Sequence, residues 1–195
     1  MSAPPAPPLL LASRSPQRQA ILGQLGIPFE VVPPRWEEVI GGEPGETVRA
    51  NARGKARSVA GWAGDRPVLG VDTEVVLDSR VFGKARSAAE AEEMLEALAG
   101  RTHEVVSGLC LITPGWGVVE HEVTKVTFRP LDARDLAAYV AVGEWEGRAG
   151  AYAVQGRGAA LVERIEGDYL NVVGLPAARL VRVLAERFPG VYGFG

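Results

Sequence analysis

The chain has 195 residues, of which 47% are hydrophobic and 23% charged, and its formal net charge is −3 at pH 7. This is the composition of an ordinary soluble globular protein, and the absence of a long basic run argues against nucleic acid as a main partner. The single cysteine, Cys110, excludes an internal disulfide and favours the reducing cytoplasm. An anionic substrate must therefore be bound by a local group of Arg, Lys and backbone N–H groups.

The amino-terminal segment Met1–Pro8 is rich in proline and carries no basic residue. The apolar run that follows, Leu9–Ala12, is far too short for the core of a signal peptide or for a membrane span. We therefore expect a flexible tail over residues 1–8, a single domain over residues 9–195, and no membrane partner.

The first predicted elements form a candidate anion site. Leu9–Ala12 is typical of a short buried strand, and the next segment predicts a helix with Ser15 as its N-cap and Pro16 in its first turn. A strand, a tight loop and a helix N-terminus would bring Ser13, Ser15 and Arg18 together, where N–H groups and the helix dipole attract an anion. The alternative is a plain capped helix with solvated arginines.

The next segment predicts a strand at Phe29–Val32, a loop rich in Gly and Pro, and a helix over Val48–Ala60 capped by Thr47. Lys55 lies beside the narrow face of small residues on this helix and could reach into a cleft, although most lysines so placed are surface residues. Glu38 lies in the loop, where acidic residues are usually just solvated.

The run Val68–Lys84 predicts a central strand, because its apolar residues are mostly β-branched. In a regular strand Gly70, Asp72 and Glu74 share one face, with the two carboxylates about 7 Å apart and the glycine leaving room for a ligand. Such a pair suits a hard cation or a general base. The alternative is that the strand ends near Gly70 and the acids lie in a solvated turn.

The second half of the chain continues the alternation of strands and helices. Its predicted elements are a helix opened by the capping box of Ser87 and Glu90, a hairpin of Val105–Thr113 and Val118–Arg129, a helix opened by Asp132 and Asp135, a strand over Ala159–Glu166, and a last helix starting at Pro176. The glycine-rich segment Gly143–Gly158 carries Arg148 and Gln155, and it either approaches a ligand or simply makes a turn. Neither His103 nor His121 has ligand-type neighbours at zinc spacing.

Seven short segments together resemble the Maf family, and they cover nearly the whole chain after the tail. They are Leu10–Arg18, Ala52–Ala56, Val71–Val76, Gly83-Lys84, His103–Val105, Arg148–Gly156 and Asn171–Pro176. The resemblance implies an α/β fold like that of inosine triphosphate pyrophosphatase, with a long mixed twisted sheet flanked by helices and two lobes around a central cleft. It also implies a nucleoside triphosphate pyrophosphatase that uses a divalent cation, Mg²⁺ or Mn²⁺.

The resemblance assigns roles to particular residues. The family's catalytic carboxylate, a general base, falls on Asp72, and its loop glutamate falls on Glu38, with Glu37 as the adjacent alternative. These two acids, Glu38 and Asp72, are the expected metal ligands. The expected phosphate-binding residues are Ser13, Ser15, Arg18, Lys55 and Lys84.

Three further positions set base choice in the family, and here they are Gln17, Thr73 and Gln155. Thr73 and Gln155 resemble the branch that acts on dTTP and UTP, whereas Gln17 stands where that branch usually has Arg. Glu74 and Arg148 also depart from the usual residues, which are apolar and Lys respectively. The sequence leaves open a different base preference, a non-catalytic nucleotide-sensing role in regulating cell division, and whether the chain forms a homodimer.

Overall fold

The sheet of the protein is assembled from apolar runs that are separated by helices and tight turns. The computed structural model describes residues 6–195, and its strands are Leu9–Ala12 (β1), Phe29–Val31 (β2), Val68–Leu77 (β3), Arg80–Phe82 (β4), Thr102–Thr113 (β5), Trp116–Phe128 (β6) and Val162–Glu166 (β7). The helices are Pro16–Gln24 (α1), Pro44–Val59 (α2), Ala88–Leu98 (α3), Ala133–Val140 (α4), Tyr169–Val173 (α5) and Ala177–Arg187 (α6).

The seven strands form one mixed sheet in the order β2-β1-β3-β5-β6-β7, with β4 paired antiparallel to β3. The predicted α/β fold with a mixed sheet and flanking helices is therefore confirmed. Residues 1–5 of the predicted tail lie outside the described residues, and residues 6–8 have no regular secondary structure. Within residues 6–195, no helix is both long enough and apolar enough to cross a membrane.

The contacts divide the chain into two compact units. The first contains Asp72 and the described residues before it, together with Ser107–Glu122 and Gly174–Gly195. The second contains Thr73–Val106 and Val123–Val173. The single domain and the cleft expected from the family stay predictions.

In the first unit, β1 pairs in parallel with β2 and β3, and helix α2 lies directly on the sheet. A Cβ atom added at Gly70 would lie 2.1 Å from the carbonyl oxygen of Ala52, and one added at Gly108 would lie 2.1 Å from that of Val48. The sheet and the helix therefore touch backbone to backbone. The interpretation that Gly70 leaves room for a ligand is wrong, because helix α2 fills that space.

Helix α2 begins one turn earlier than the sequence predicts. Its N-cap is Glu43, whose carboxylate accepts hydrogen bonds from the backbone N–H groups of Gly45 and Glu46, and Pro44 occupies the first helical position with its φ already suitable. The hydroxyl of Thr47, which was the predicted cap, instead donates to the carbonyl oxygen of Gly41. Of the predicted face of small residues, Val48, Ala52, Ala56 and Val59 are fully buried, whereas Ala60 is half-buried.

Strand β3 runs without interruption through Leu77, so the alternative of a solvated turn after Gly70 is wrong. Asp72 is the fifth of ten strand residues. The chain then reverses at Asp78 and Ser79, both with positive φ, into β4.

The core of the second unit is built around an aromatic cluster of His103, Phe128 and Tyr152, whose rings meet edge to face with centroids 4.9 to 5.4 Å apart. Helix α4 opens at Asp132 and Asp135 as predicted, and the structure shows that these two residues form a capping box. The strand predicted over residues 159–166 is shorter, because residues 157–161 form a 3-10 helix and β7 starts only at Val162.

Candidate active site

The loop between β1 and α1 brings together the three residues of the predicted anion site. The side chain of Ser15 accepts a hydrogen bond from the backbone N–H of Arg18 at 3.5 Å, which confirms it as the N-cap, and Pro16 takes the first helical position. The hydroxyl oxygen of Ser13 is buried and accepts hydrogen bonds from the backbone N–H of Ser15 at 3.2 Å and from Nη1 of Arg18 at 2.9 Å. Local chain geometry thus brings the three residues together.

The guanidinium of Arg18 is held from two sides, because its Nε also donates to the carbonyl oxygen of Gly174 at 2.9 Å. Burial lowers the pKa of Arg18, while the negative charges of Asp72 and Glu38 act in the opposite direction. Arg18 is therefore an oriented cation within the electrostatic reach of both predicted metal ligands.

Asp72 is only 7% exposed, and both of its carboxylate oxygens are hydrogen-bonded. Oδ1 lies 2.6 Å from Nζ of Lys55, and Oδ2 accepts a hydrogen bond from Nδ2 of Asn51 at 2.9 Å. Asn51 and Lys55 are four residues apart on α2 and so project from the same side of the helix. Because α2 touches the sheet at Gly70, both side chains reach the carboxylate two residues further along β3.

Lys55 lies between two carboxylates. Its Nζ is 2.5 Å from Oε1 of Glu38 as well as 2.6 Å from Oδ1 of Asp72. The loop glutamate, whose side chain is 53% exposed, thus approaches the buried acid from the solvent side. Six predicted site residues thus lie in the first unit as two bonded groups, with Arg18 within electrostatic reach of both acids: Ser13, Ser15 and Arg18, and Glu38, Lys55 and Asp72.

The donor set fits a hard divalent cation. The bonded oxygens of Glu38 and Asp72 share one ammonium partner and are therefore no more than about 5 Å apart. These two carboxylates would hold the cation through oxygen atoms, the ligands that Mg²⁺ prefers. Among residues 6–195 no group of three or more His, Cys, Asp and Glu could hold a metal ion. Proteins usually bind Mg²⁺ through one or two carboxylates, and water molecules and substrate phosphates complete its coordination shell.

Gln17 contacts the loop between β1 and α1, here called the anion loop, because the hydroxyl of Ser15 donates to its Oε1 at 2.9 Å. The other predicted base-choice residues, Thr73 and Gln155, belong to the second unit, as do Lys84 and Glu74. Thr73 and Glu74 are half-buried on β3, whereas Lys84 and Gln155 are exposed. The participation of these four residues in the site around Asp72 stays a prediction.

The segment that carries Gln155 is held firmly within the second unit. The hydroxyl of Tyr139 accepts a hydrogen bond from the backbone N–H of Ala153 at 2.9 Å, and the carboxylate of Glu144 accepts one from that of Arg157 at 3.0 Å. The backbone of Ala149, near the start of the segment, forms an isolated bridge with that of Lys84. Two predicted substrate-binding residues thus lie on backbone segments that touch near Lys84.

Sequence reasoning missed Asn51. Its signal was weak: one polar residue precedes Ala52 on a helix face otherwise made of Val and Ala, and it lies four residues before a lysine of interest. Only the tertiary structure shows that this side chain meets Asp72, which lies 21 residues away in the chain.

A buried carboxylate bonded to a lysine and an oriented arginine in the first turn of a helix thus lie in one unit of the chain. The family model described as Maf-like protein matches residues 8–187. The chain belongs to the Maf family, in agreement with the resemblance seen in its sequence.

Several curated relatives are similar over almost their whole length, and each is named dTTP/UTP pyrophosphatase. The relative from Bacillus cytotoxicus is 46% identical, over 91% of this chain and 94% of its own. The relative from Nitratidesulfovibrio vulgaris is 48% identical, over 93% and 89%. The relative from Symbiobacterium thermophilum is 47% identical, over 91% and 93%.

Proposed function

We propose that the protein is a nucleoside triphosphate pyrophosphatase that hydrolyses dTTP and UTP to the nucleoside monophosphate and pyrophosphate. The observation that carries this proposal is the buried Asp72 carboxylate, bonded to Lys55 and within electrostatic reach of Arg18. The names of the relatives, at 43–48% identity over most of the chain, support the same activity and the same two substrates.

In this reaction water attacks the α-phosphorus, the new oxygen–phosphorus bond forms, and the bond from the α-phosphorus to the bridging oxygen of pyrophosphate breaks. Asp72 orients the water and accepts its proton. A carboxylate has about four lone-pair positions, so the hydrogen bonds from Lys55 and Asn51 leave two for the water and a cation.

The negative charge of the polyphosphate is met by donors that are already oriented. Ser13 and Arg18 are fixed to each other at the start of α1, which suits one phosphate group. Lys55 lies beside the general base, and the resemblance to the family assigns the same phosphate-binding task to Lys84. These donors stabilise charge that develops on the leaving pyrophosphate.

Glu38 and Asp72 would hold a divalent cation, Mg²⁺ or Mn²⁺. Such an ion neutralises phosphate charge and polarises the reacting phosphorus. The role of this chain is then to hold both carboxylates within reach of the phosphate donors, with Lys55 occupying the space between them in the free protein.

Base choice is assigned to Gln17, Thr73 and Gln155. A pyrimidine such as uracil or thymine presents carbonyl oxygens beside an imide N–H, and the amide of Gln155 can both donate and accept there. Cytosine presents a different pattern of donors and acceptors, so that CTP is expected to be a poorer substrate.

The decisive experiment is a substrate panel of dTTP, UTP, CTP and 7-methyl-GTP, with Mg²⁺, Mn²⁺ or EDTA, in which pyrophosphate and inorganic phosphate are both measured. We expect pyrophosphate from dTTP and UTP, little turnover in EDTA, and a loss of about 10²–10⁴-fold in kcat for Asp72→Asn, which removes the general base. Asp65→Asn changes an exposed acid of the same unit and serves as the matched control.

Two outcomes contradict the proposal. Predominant release of inorganic phosphate would mean that the γ-phosphorus, rather than the α-phosphorus, is attacked. Tight binding of dTTP without turnover, under every metal condition, would favour a nucleotide-sensing protein.

A further inference from the structure

We propose that Asn51 is a positioning residue that fixes the Asp72 carboxylate and the Glu38 loop in one arrangement, with Trp36 completing the network. The catalytic consequence of this inference rests on the proposed function, whereas its structural part does not. The network lies entirely within the first unit.

The side chain of Asn51 makes every hydrogen bond of which an amide is capable. Its Oδ1 accepts from the backbone N–H of Val39 at 2.8 Å and from Nε1 of Trp36 at 3.1 Å. Its Nδ2 donates to the carbonyl oxygen of Val39 at 3.0 Å and to Oδ2 of Asp72 at 2.9 Å. Asn51 is only 2% exposed, so the loss of any of these hydrogen bonds would leave a buried polar atom unsatisfied and destabilise the folded protein.

These partners fix which way the amide points. If the amide of Asn51 were reversed, its oxygen would face both the carbonyl oxygen of Val39 and the carboxylate of Asp72, and acceptor would meet acceptor twice. The donors of Trp36 and Val39 therefore select the orientation that presents an N–H group to Asp72. The loop thus determines that the Asp72 carboxylate faces an N–H donor of Asn51 and not its amide oxygen.

Trp36 reaches Asn51 because residue 54 of helix α2 is a glycine. A Cβ atom at Gly54 would lie 2.2 Å from a carbon of the Trp36 ring, so the indole lies directly on the helix backbone. Although the residue is 41% exposed, this contact and the bond from Nε1 fix the ring. Gly54 and Asn51 are three residues apart on one side of α2, which matches the length of the indole.

The consequence for Glu38 follows from its place in the chain. It lies between Trp36 and Val39, and both of these are bonded to Asn51. A solvent-exposed glutamate in a free loop would sample many conformations, whereas here its backbone is fixed and its carboxylate reaches Lys55. Asn51 therefore couples the orientation of the general base to the approach of the second carboxylate.

The test compares Asn51→Ala with Asn171→Ala, the same change at the other asparagine of the chain, which is also fully buried but lies in the second unit. We expect Asn51→Ala to raise amide hydrogen exchange at Val39 and to lower kcat about 10–100-fold, as is typical when a partner that orients a catalytic carboxylate is lost. The KM for dTTP should change by less than about threefold, because Ser13 and Arg18 remain in place. Asn171→Ala should leave both exchange at Val39 and kcat within about twofold of the wild type.

A double-mutant cycle with Trp36→Phe isolates the network, because phenylalanine keeps an aromatic ring over Gly54 and loses only the N–H. We expect Trp36→Phe to lower kcat about 2–10-fold in the wild type, the range of one hydrogen bond, and to have no further effect in Asn51→Ala. Equal effects in both backgrounds would overturn the inference, as would unchanged exchange at Val39 or unchanged kcat in Asn51→Ala. If the wild type hydrolyses none of the nucleotides, the proposed function fails while the exchange experiment still decides whether the network holds the loop.

Discussion

At the scale of single residues, the site depends on one lysine between two acids. A buried ion pair gives little net stability, but removing one partner leaves an uncompensated charge and typically costs about 3–5 kcal/mol. Lys55 and Asp72 are both buried and bonded at 2.6 Å, so neither can be lost without consequence for the other. Glu38 is more exposed, and its contribution to folding should be smaller.

Gln17 offers a test of substrate binding at this scale. Replacing it with Arg adds a charge-assisted donor beside the anion loop, and we expect the KM for dTTP and UTP to fall about 3–10-fold. The substrate panel measures the change, with Gln19→Arg, which adds the same charge two residues further along α1, as the matched control. If both variants lower KM equally, general electrostatic attraction suffices and Gln17 has no special position.

The residues that sequence reasoning found and missed differ in how far apart their partners are in the chain. Ser13, Ser15 and Arg18 meet within one loop and one helical turn, so capping rules were enough to predict their cluster. The contacts of Asp72 with Lys55 and Asn51 span 17 and 21 residues, and no local rule predicts them. The resemblance to the family supplied Lys55, whereas nothing in the sequence indicated the partners of Asn51.

At the scale of elements, local signals predicted helix α1 and the N-cap of α4 correctly, because caps and prolines act within one turn. The start of α2 was wrong because Glu43, which is not among the residues most favoured as N-caps, takes that role. The contact of α2 with the sheet could not be predicted either, since it depends on Gly70 and Gly108, which are 38 residues apart.

The close contact between helix α2 and strand β3 can be tested by replacing Gly70 with alanine. In Gly70→Ala the new methyl group would lie 2.1 Å from a backbone oxygen of α2, so the helix must shift. We expect a loss of about 3 kcal/mol in the free energy of unfolding, measured with urea, and a fall in kcat because Asn51 and Lys55 move with the helix.

The matched control for Gly70→Ala is Gly23→Ala. Gly23 lies in α1 with no atom within 4 Å of the added Cβ, so this change should be neutral or stabilise the protein by up to about 1 kcal/mol. A Gly70→Ala variant as stable and active as the wild type would contradict the backbone-to-backbone packing.

At the scale of the whole molecule, the core of the second unit holds a neutral histidine. His103 is 1% exposed, and burial lowers its pKa to about 4 from an ordinary value of 6.5. Its Nε2 lies 2.9 Å from the hydroxyl of Tyr152, and among the described residues its Nδ1 has no hydrogen-bond partner. Protonation of the ring would therefore place an unpaired charge in the core.

Stability should consequently depend on pH below neutrality. As the pH falls from 6.5 towards 4, the unfolded chain takes up a proton at His103 and the folded protein does not, so folding weakens by up to about 3 kcal/mol from this group alone. The free energy of unfolding, measured with urea between pH 6.5 and 4, should change less steeply with pH in His103→Gln than in the wild type. Tyr152→Phe removes the hydroxyl partner but keeps the imidazole, so it should be less stable yet retain the slope. If the pH dependence of the unfolding free energy were unchanged in His103→Gln, it would have to arise from other titratable groups.

The position of Lys55 has a further consequence for the catalytic cycle. Its ammonium has three N–H donors, two of which are directed at Glu38 and Asp72, so one remains for a phosphate group of the nucleotide. Under the proposed function, a divalent ion held by Glu38 and Asp72 would compete with the ammonium for their oxygens and leave more of its donors to the nucleotide, so binding of the ion and of the substrate would favour each other reciprocally. In the free protein the two acids thus share one counter-ion that belongs to the chain itself, and an external cation would take over part of that role once a triphosphate is bound.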